Sequence, residues 1–171
     1  VQSDLARTLD LIATRGPAGF YTGPVAERIA AAVRAEGGGM VAEDLAAYRV
    51  RERPVARGRY RGFEVVSMPP PSSGGVHLVQ ILNILEGFDL AAMGHGSAET
   101  LHVMAEAMKL AYADRSEFLG DPDFVRVPVE KLISKATAAA RRAGLRMDRA
   151  QDWAADPTLG EGNCTTHVTV A

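Results

Sequence analysis

Ser97-Ala98-Glu99-Thr100-Leu101-His102-Val103-Met104-Ala105-Glu106-Ala107-Met108-Lys109-Leu110-Ala111-Tyr112 is the stretch on which the reading of the fold turns. Leu101, Met104, Ala105, Met108, Ala111 and Tyr112 fall at i, i+3, i+4, i+7, i+10 and i+11, which is the spacing of one helix face. Ser97 stands where a hydroxyl would accept a first-turn N–H. The spacing therefore predicts the longest helix of the chain, with those six residues on its apolar side.

Working upstream, Ser72-Ser73-Gly74-Gly75 follows the extended Pro69-Pro70-Pro71 and leads into Val76, Val79, Ile81, Leu82 and Leu85, a second helical run. Before it, residues 50–60 and 63–68 flank Arg61-Gly62 and predict a β-hairpin. Nearer the start, Leu5, Leu9 and Ile12 form a helix ended by Gly16-Pro17. Gly23-Pro24 then opens another, with Val25, Ile29 and Val33 on one face and Gly37-Gly38-Gly39 at its end. Residues 43–48 predict one short turn. Downstream, Asp121-Pro122-Asp123 breaks the chain, weaker helical segments run over 129–145, and 152–163, rich in Asp, Gly and Pro, reads as an exposed flexible loop. Thr165-Thr166-His167-Val168-Thr169-Val170-Ala171 alternates as a β-strand does. The class is α+β, helix-rich with one hairpin and a terminal strand.

The 171 residues suit one compact domain. Lys and Arg number 19 against 21 Asp and Glu, a net charge of −2, so no basic field exists to neutralise a phosphate backbone. Nucleic acid is a poor partner for such a surface. No apolar run approaches the ~20 residues that cross a bilayer. The single cysteine, Cys164, excludes an internal disulfide and a multi-cysteine zinc site. Because the chain starts on Val already in helical register and stops in mid-strand, it reads as a segment of something larger.

Four regions carry residue types capable of chemistry. Ser72-Ser73-Gly74-Gly75 precedes a helix but lacks the spacing of a phosphate-binding loop, and reads as a loop that lets backbone and helix pack closely. His77, His95, His102 and His167 show no metal-ligand spacing. Asp114-Arg115 and Asp121-Pro122-Asp123 read as helix-end caps or solvated pairs. Gly162-Asn163-Cys164-Thr165-Thr166-His167 is different, because a loop runs straight into a strand whose first residues are hydroxylic. By pattern alone it is most simply a strand. Were the Cys164-Thr165 bond cut, however, Thr165 would hold a hydroxyl and a free α-amine together, nucleophile and base on one residue. An α-amine with a pKa of about 7.7 to 8.0 accepts a hydroxyl proton near neutrality.

Several blocks resemble, in order, the gamma-glutamyltranspeptidase family of N-terminal nucleophile hydrolases. They are Gly19-Phe20-Tyr21-Thr22-Gly23, Gly38-Gly39-Met40 with Glu43-Asp44-Leu45 and Tyr48, and Met68-Pro69-Pro70-Pro71-Ser72-Ser73-Gly74-Gly75. Gln80-Ile81-Leu82-Asn83-Ile84-Leu85-Glu86, Ala111-Tyr112-Ala113-Asp114-Arg115, Gly120-Asp121-Pro122-Asp123-Phe124 and Thr165-Thr166-His167 complete the set. The resemblance covers nearly the whole chain. It implies a precursor that cuts itself before Thr165, with residues 1–164 the C-terminal part of a large subunit and 165–171 the start of a small one. The implied fold is a fragment of a four-layer αββα sandwich.

The same resemblance implies that Thr165 is the catalytic nucleophile toward gamma-glutamyl amides such as glutathione, with water or an amino acid as acceptor and no metal or organic cofactor. Its partners are the remainder of the large and small subunits, and its expected location is the periplasm or cell exterior. The second threonine, the acidic pocket residues and the upstream arginine of the family are not in this sequence, so the isolated chain is expected to be inactive. Cys164, Val168 and Thr169 depart from the commoner family residues and bear on the rate of processing. Cys164 itself would be left at a new C-terminus, without the amine the mechanism needs. The alternatives are a related acylase, such as a cephalosporin acylase or a poly-gamma-glutamate depolymerase, and a non-catalytic scaffold homologue.

Overall fold

The computed structural model describes residues 2–159. In place of the single domain expected from length, the chain forms two compact units that meet between Glu52 and Arg53. Val50, in the stretch Arg49-Val50-Arg51-Glu52 that ends the first unit, is among the most exposed hydrophobics.

The first unit is helical. Its elements are α1 (Ser3–Arg15), α2 (Ala18–Tyr21), α3 (Pro24–Ala35) and α4 (Ala42–Ala47). The run over Gly16-Pro17 was expected only to stop a helix, yet Pro17, with its φ preset for helix, leads at once into the extra turn α2. Val25, Ala26 and Ala30 of α3 are buried, and the rings of Tyr21 and Tyr48 stack 5.2 Å apart. Nothing on α1 is buried: Leu5, Leu9 and Ile12, which share one face, are all exposed.

The second unit opens with the expected hairpin, β1 (Ala56–Tyr60) and β2 (Phe63–Ser67), antiparallel with Ala56 opposite Ser67 and Tyr60 opposite Phe63. Arg61 and Gly62 turn the chain with φ of 47° and 88°, the positive pair that matches the twist of a two-residue hairpin. Behind it α5 (Gly74–Leu85) is the central element, with Val76, Val79, Ile84 and Leu85 buried. It packs against β1, against α7 (Ala98–Phe118) and against α9 (Lys135–Ala143), with α6 (Leu90–Met93) and α8 (Val129–Leu132) between them in sequence. Capping follows the sequence: Ser97 Oγ accepts the Thr100 N–H at 3.1 Å and Ser134 Oγ accepts the Thr137 N–H at 3.0 Å. A short 3₁₀ turn, Pro157–Leu159, closes the described chain. The architecture is a helix-rich α+β fragment. The terminal strand and the expected division at 164/165 lie outside the described residues.

The longest helix forms where expected, and of the six residues expected on its inner side Ala111 is buried and Met104 packs against the core, but the face turned inward is largely a different one. Val103, Ala107, Leu110, Ala111 and Phe118 are buried together with Thr100, Glu106 and Asp114, whereas Leu101, Met108 and Tyr112 are exposed. The helix is apolar on two sides, and hydropathy alone assigned the wrong one because the inner side carries two carboxylates. Two apolar clusters hold this unit: one of Ile84, Leu85, Val103, Ala107, Leu110 and Ala138, the other of Ala56, Val76, Phe118, Leu119, Leu132 and Leu159.

Candidate nucleophile segment and its anchor

Thr165, Cys164 and His167 lie outside the described residues. Leading toward them is the segment 151–159, of which 152–159 was expected to begin an exposed flexible loop. Instead Asp156 and Leu159 are buried, and the segment is tied down along its length by α7. It has no helix or strand hydrogen bonds before Pro157, so its fixation comes from side chains.

Two carboxylates on the inner side of α7 make the ties. Glu106 and Asp114 are eight positions apart, a rise of about 12 Å along a helix, and both are essentially inaccessible, at 1% and 0% exposure. Glu106 Oε2 accepts the Trp153 indole N–H at 2.6 Å, and its Oε1 accepts the Lys109 ammonium at 2.9 Å and the Gln151 N–H at 3.4 Å. Lys109 also donates to the Gln151 carbonyl. Two turns further on, Asp114 Oδ1 accepts the Asp156 N–H at 2.7 Å and Arg141 Nη2 at 2.9 Å, while Oδ2 accepts the Gln80 amide at 2.5 Å. From Trp153 to Asp156 an extended chain spans roughly 10 Å, comparable with the rise between the two carboxylates. The segment therefore lies as a strap along α7, in the same direction.

Arg141 secures the strap a second time, donating to the Ala154 carbonyl at 2.8 Å with its guanidinium 5.9 Å from the Trp153 ring centroid. The Asp156 carboxylate accepts the Thr158 N–H at 2.9 Å and the Thr158 hydroxyl at 2.7 Å, which starts the 3₁₀ turn. Leu159 then inserts between Val76, Phe118, Leu119 and Leu132. Its burial is worth about 1.5 to 3 kcal/mol. Leu159 is six residues before Thr165, so the chain enters the approach to the expected scissile bond from a fixed point.

The two carboxylates titrate in opposite senses. Burial pushes Asp114 above the usual range, although the Asp156 N–H, Arg141 and Gln80 all favour its charged form. Burial also pushes Glu106 upward, but the Lys109 ion pair and the Trp153 and Gln151 donors together outweigh it and leave the group below its usual value. By linkage, Glu106 stabilises the fold above its unfolded pKa and that contribution is lost as pH falls through the folded one. Asp114 favours the fold most at acid pH, and its contribution declines as pH rises through its raised value.

The remaining sequence candidates have other roles. Asp114 is no solvated helix-end group: it sits on the inner, apolar side of α7, where a carboxylate survives only with its acceptor sites filled. Asp121 and Asp123 are bridged by Arg53, at 2.7 Å to Asp123 Oδ2 and 3.1 Å to Asp121 Oδ1. Gly75 lies so close to the Met68 backbone that a Cβ would strike it, which fits the packing role read for Ser72-Ser73-Gly74-Gly75. His102 Nε2 bonds the Arg146 carbonyl at 2.7 Å. His77 is buried, with Nδ1–H donating to the Ser73 carbonyl at 2.5 Å, and burial lowers its pKa. Among the described residues no cluster of three or more His, Cys, Asp or Glu is arranged to hold a metal, and no helix is long and apolar enough to cross a membrane. Sequence reasoning missed the clamp formed by Glu106, Asp114, Arg141 and Trp153. The signal was present, since acidic residues punctuate the otherwise apolar series Val103, Ala107, Leu110, Ala111 and the chain's one tryptophan stands in the segment read as loop.

The family model described as gamma-glutamyltranspeptidase matches residues 1–171. A glutathione hydrolase proenzyme of Escherichia coli is 50% identical over 175 aligned positions, covering 99% of this chain and 30% of that protein. The Acylase ACY 1 proenzyme of a Pseudomonas species (strain SE83) is 49% identical over 171 residues, covering all of this chain and 31% of the relative. Among solved structures, the gamma-glutamyltranspeptidase of Helicobacter pylori superposes with a TM-score of 0.74 at 46% identity, covering all of this chain and 48% of that one. The chain thus spans about a third of the length of the curated relatives it matches.

Proposed function

The chain belongs to the gamma-glutamyltranspeptidase family, and from that premise we propose that it is the C-terminal part of the large subunit, residues 1–164, with the first residues of the small subunit, 165–171, of a self-processing gamma-glutamyltransferase or glutathione hydrolase. The observation that carries this is the match over all 171 residues, which includes Thr165-Thr166-His167 at the junction. Relatives named as proenzymes support the same reading.

The chemistry follows from Thr165. Its hydroxyl oxygen attacks the Cys164 carbonyl carbon, the hydroxyl proton goes to the departing amide nitrogen, and the peptide becomes an ester with a free Thr165 α-amine. Water hydrolyses that ester, leaving a Cys164 carboxylate and a free Thr165 hydroxyl. In the mature enzyme the α-amine takes the hydroxyl proton as Thr165 attacks the carbonyl of a gamma-glutamyl amide. The amine product leaves with that proton, and water or the amine of an acceptor amino acid then takes the acyl group. Neither half needs a metal or organic cofactor. The fold of the whole would be a four-layer αββα sandwich to which this chain supplies helices, its hairpin and one strand, and on family resemblance the parent would work in the periplasm or outside the cell. Acylase activity is the weaker reading: it rests on the 49% relative, and the substrate pocket that would separate the two lies outside this sequence.

The test is Thr165→Ala in the full-length parent. Intact mass should show an uncut chain and assays with a gamma-glutamyl amide should show no turnover, because one hydroxyl serves both steps. A Thr165→Ala protein still cut between residues 164 and 165 overturns the assignment.

A further inference from the structure

We propose that the clamp of α7 on the strap, centred on Asp114, is a positioning device for cleavage of the Cys164-Thr165 bond. The proposal rests on the self-processing read above. Asp114 lies far from the substrate chemistry in sequence, and its three donors come from three places: Gln80 on α5, Arg141 on α9 and the Asp156 backbone on the strap. The only irregular segment of the three is the strap, which leads to the scissile bond. A helix pair needs no buried carboxylate to pack, since Ile84, Leu85, Val103, Ala107 and Leu110 already join α5 to α7. What the carboxylate adds is a fixed place for Asp156, nine residues before Thr165.

Intramolecular attack is fast only when nucleophile and carbonyl are held near their reacting geometry. Before the cut, any slack in the strap is passed on to the bond that must be aimed. After the cut, the strap belongs to one piece and Thr165 to the other, so the tether is gone. Asp114 therefore acts through Asp156 on processing and not on later turnover. A merely structural carboxylate would affect both.

The experiment uses the full-length parent with Asp114→Asn, which keeps shape and removes charge, and separately Trp153→Phe, which keeps the ring and removes the indole bond to Glu106. The half-time of cleavage is followed by intact mass, and kcat and KM are then measured on the matured fraction. Asp114→Asn should lengthen the half-time about tenfold or more and Trp153→Phe about threefold, the scale expected for weakening a charge-assisted bond. The kcat and KM of both matured variants should stay within about twofold of the parent. Unchanged half-times, or a kcat that falls in step with processing, overturn the proposal. If Asp114→Asn does not accumulate as folded protein, Trp153→Phe decides by the same two criteria. Thr165→Ala is run alongside. Cleavage of that variant sinks the self-processing reading and this inference with it, whereas an uncut Thr165→Ala beside a normally cut Asp114→Asn sinks only the clamp.

Discussion

Replacing Asp114 by Ala in a precursor already carrying Thr165→Ala should loosen the strap locally, and amide hydrogen exchange can read the effect residue by residue. The Asp156 N–H, at 2.7 Å from Asp114 Oδ1, loses a charge-assisted bond worth about 1.5 to 3 kcal/mol. At 1.4 kcal/mol per factor of ten, its protection should fall by roughly 10- to 150-fold. Thr158 and Leu159 should lose protection with it, because their N–H groups bond the carboxylate and the carbonyl of Asp156. The Gln151 N–H is an internal control. It is held by Glu106, about 12 Å away along α7, and sites that far apart act nearly independently. Mass spectrometry of peptides spanning residues 150–159, after short and long exposure to deuterated buffer, gives both values. Unchanged exchange at Asp156 would refute the idea that Asp114 holds the strap. Equal loss at Gln151 would refute two separable ties and show one cooperative unit.

Gly75→Ala should cost more than about 2 kcal/mol in urea unfolding, since the added methyl meets the Met68 backbone, while Gly74→Ala, whose Cβ has only Ser72 Oγ at 3.6 Å, should be nearly silent. Equal effects at the two glycines would contradict the packing described. His77 is kept neutral chiefly by burial, so its pKa lies below the ordinary 6.5. A group depressed in this way stabilises the fold fully above 6.5 and loses that contribution as pH falls from 6.5 toward the folded value. Urea midpoints at pH 7.5 and 5.5 should differ more for the parent than for His77→Phe, and an equal difference would show that His77 does not titrate on unfolding.

Much of this architecture was legible in sequence because local chemistry and tertiary structure agree. Gly16, Pro24 and Ser97 stand at helix ends, and Arg61-Gly62 supplies the two positive φ values that a tight hairpin requires. The family blocks single out Thr165 as the expected nucleophile, although TTH on its own reads only as strand, and that residue lies outside the described ones. Legibility ended where a tertiary partner decided the outcome. On α7 the exposed Leu101, Met108 and Tyr112 and the buried Val103, Ala107 and Leu110 are equally apolar, so only the packing of α5 and α9 distinguishes the sides. Residues 152–159 have the composition of a loop and no regular structure before the turn at Pro157, yet carboxylates more than thirty positions earlier fix them. Acidic residues within the apolar series of α7 and a tryptophan in the loop hint at such a tie, but which groups pair is decided only in three dimensions.

The match in length between the strap and the two-carboxylate interval on α7 has a consequence for how such a chain can change over generations. A residue inserted between Trp153 and Asp156 adds about 3.4 Å to a span pinned at both ends, and a deletion removes as much. Either change forces one tie to open. The number of residues between Trp153 and Asp156 is therefore held constant, so that this irregular stretch is constrained in length as a helix is constrained in register.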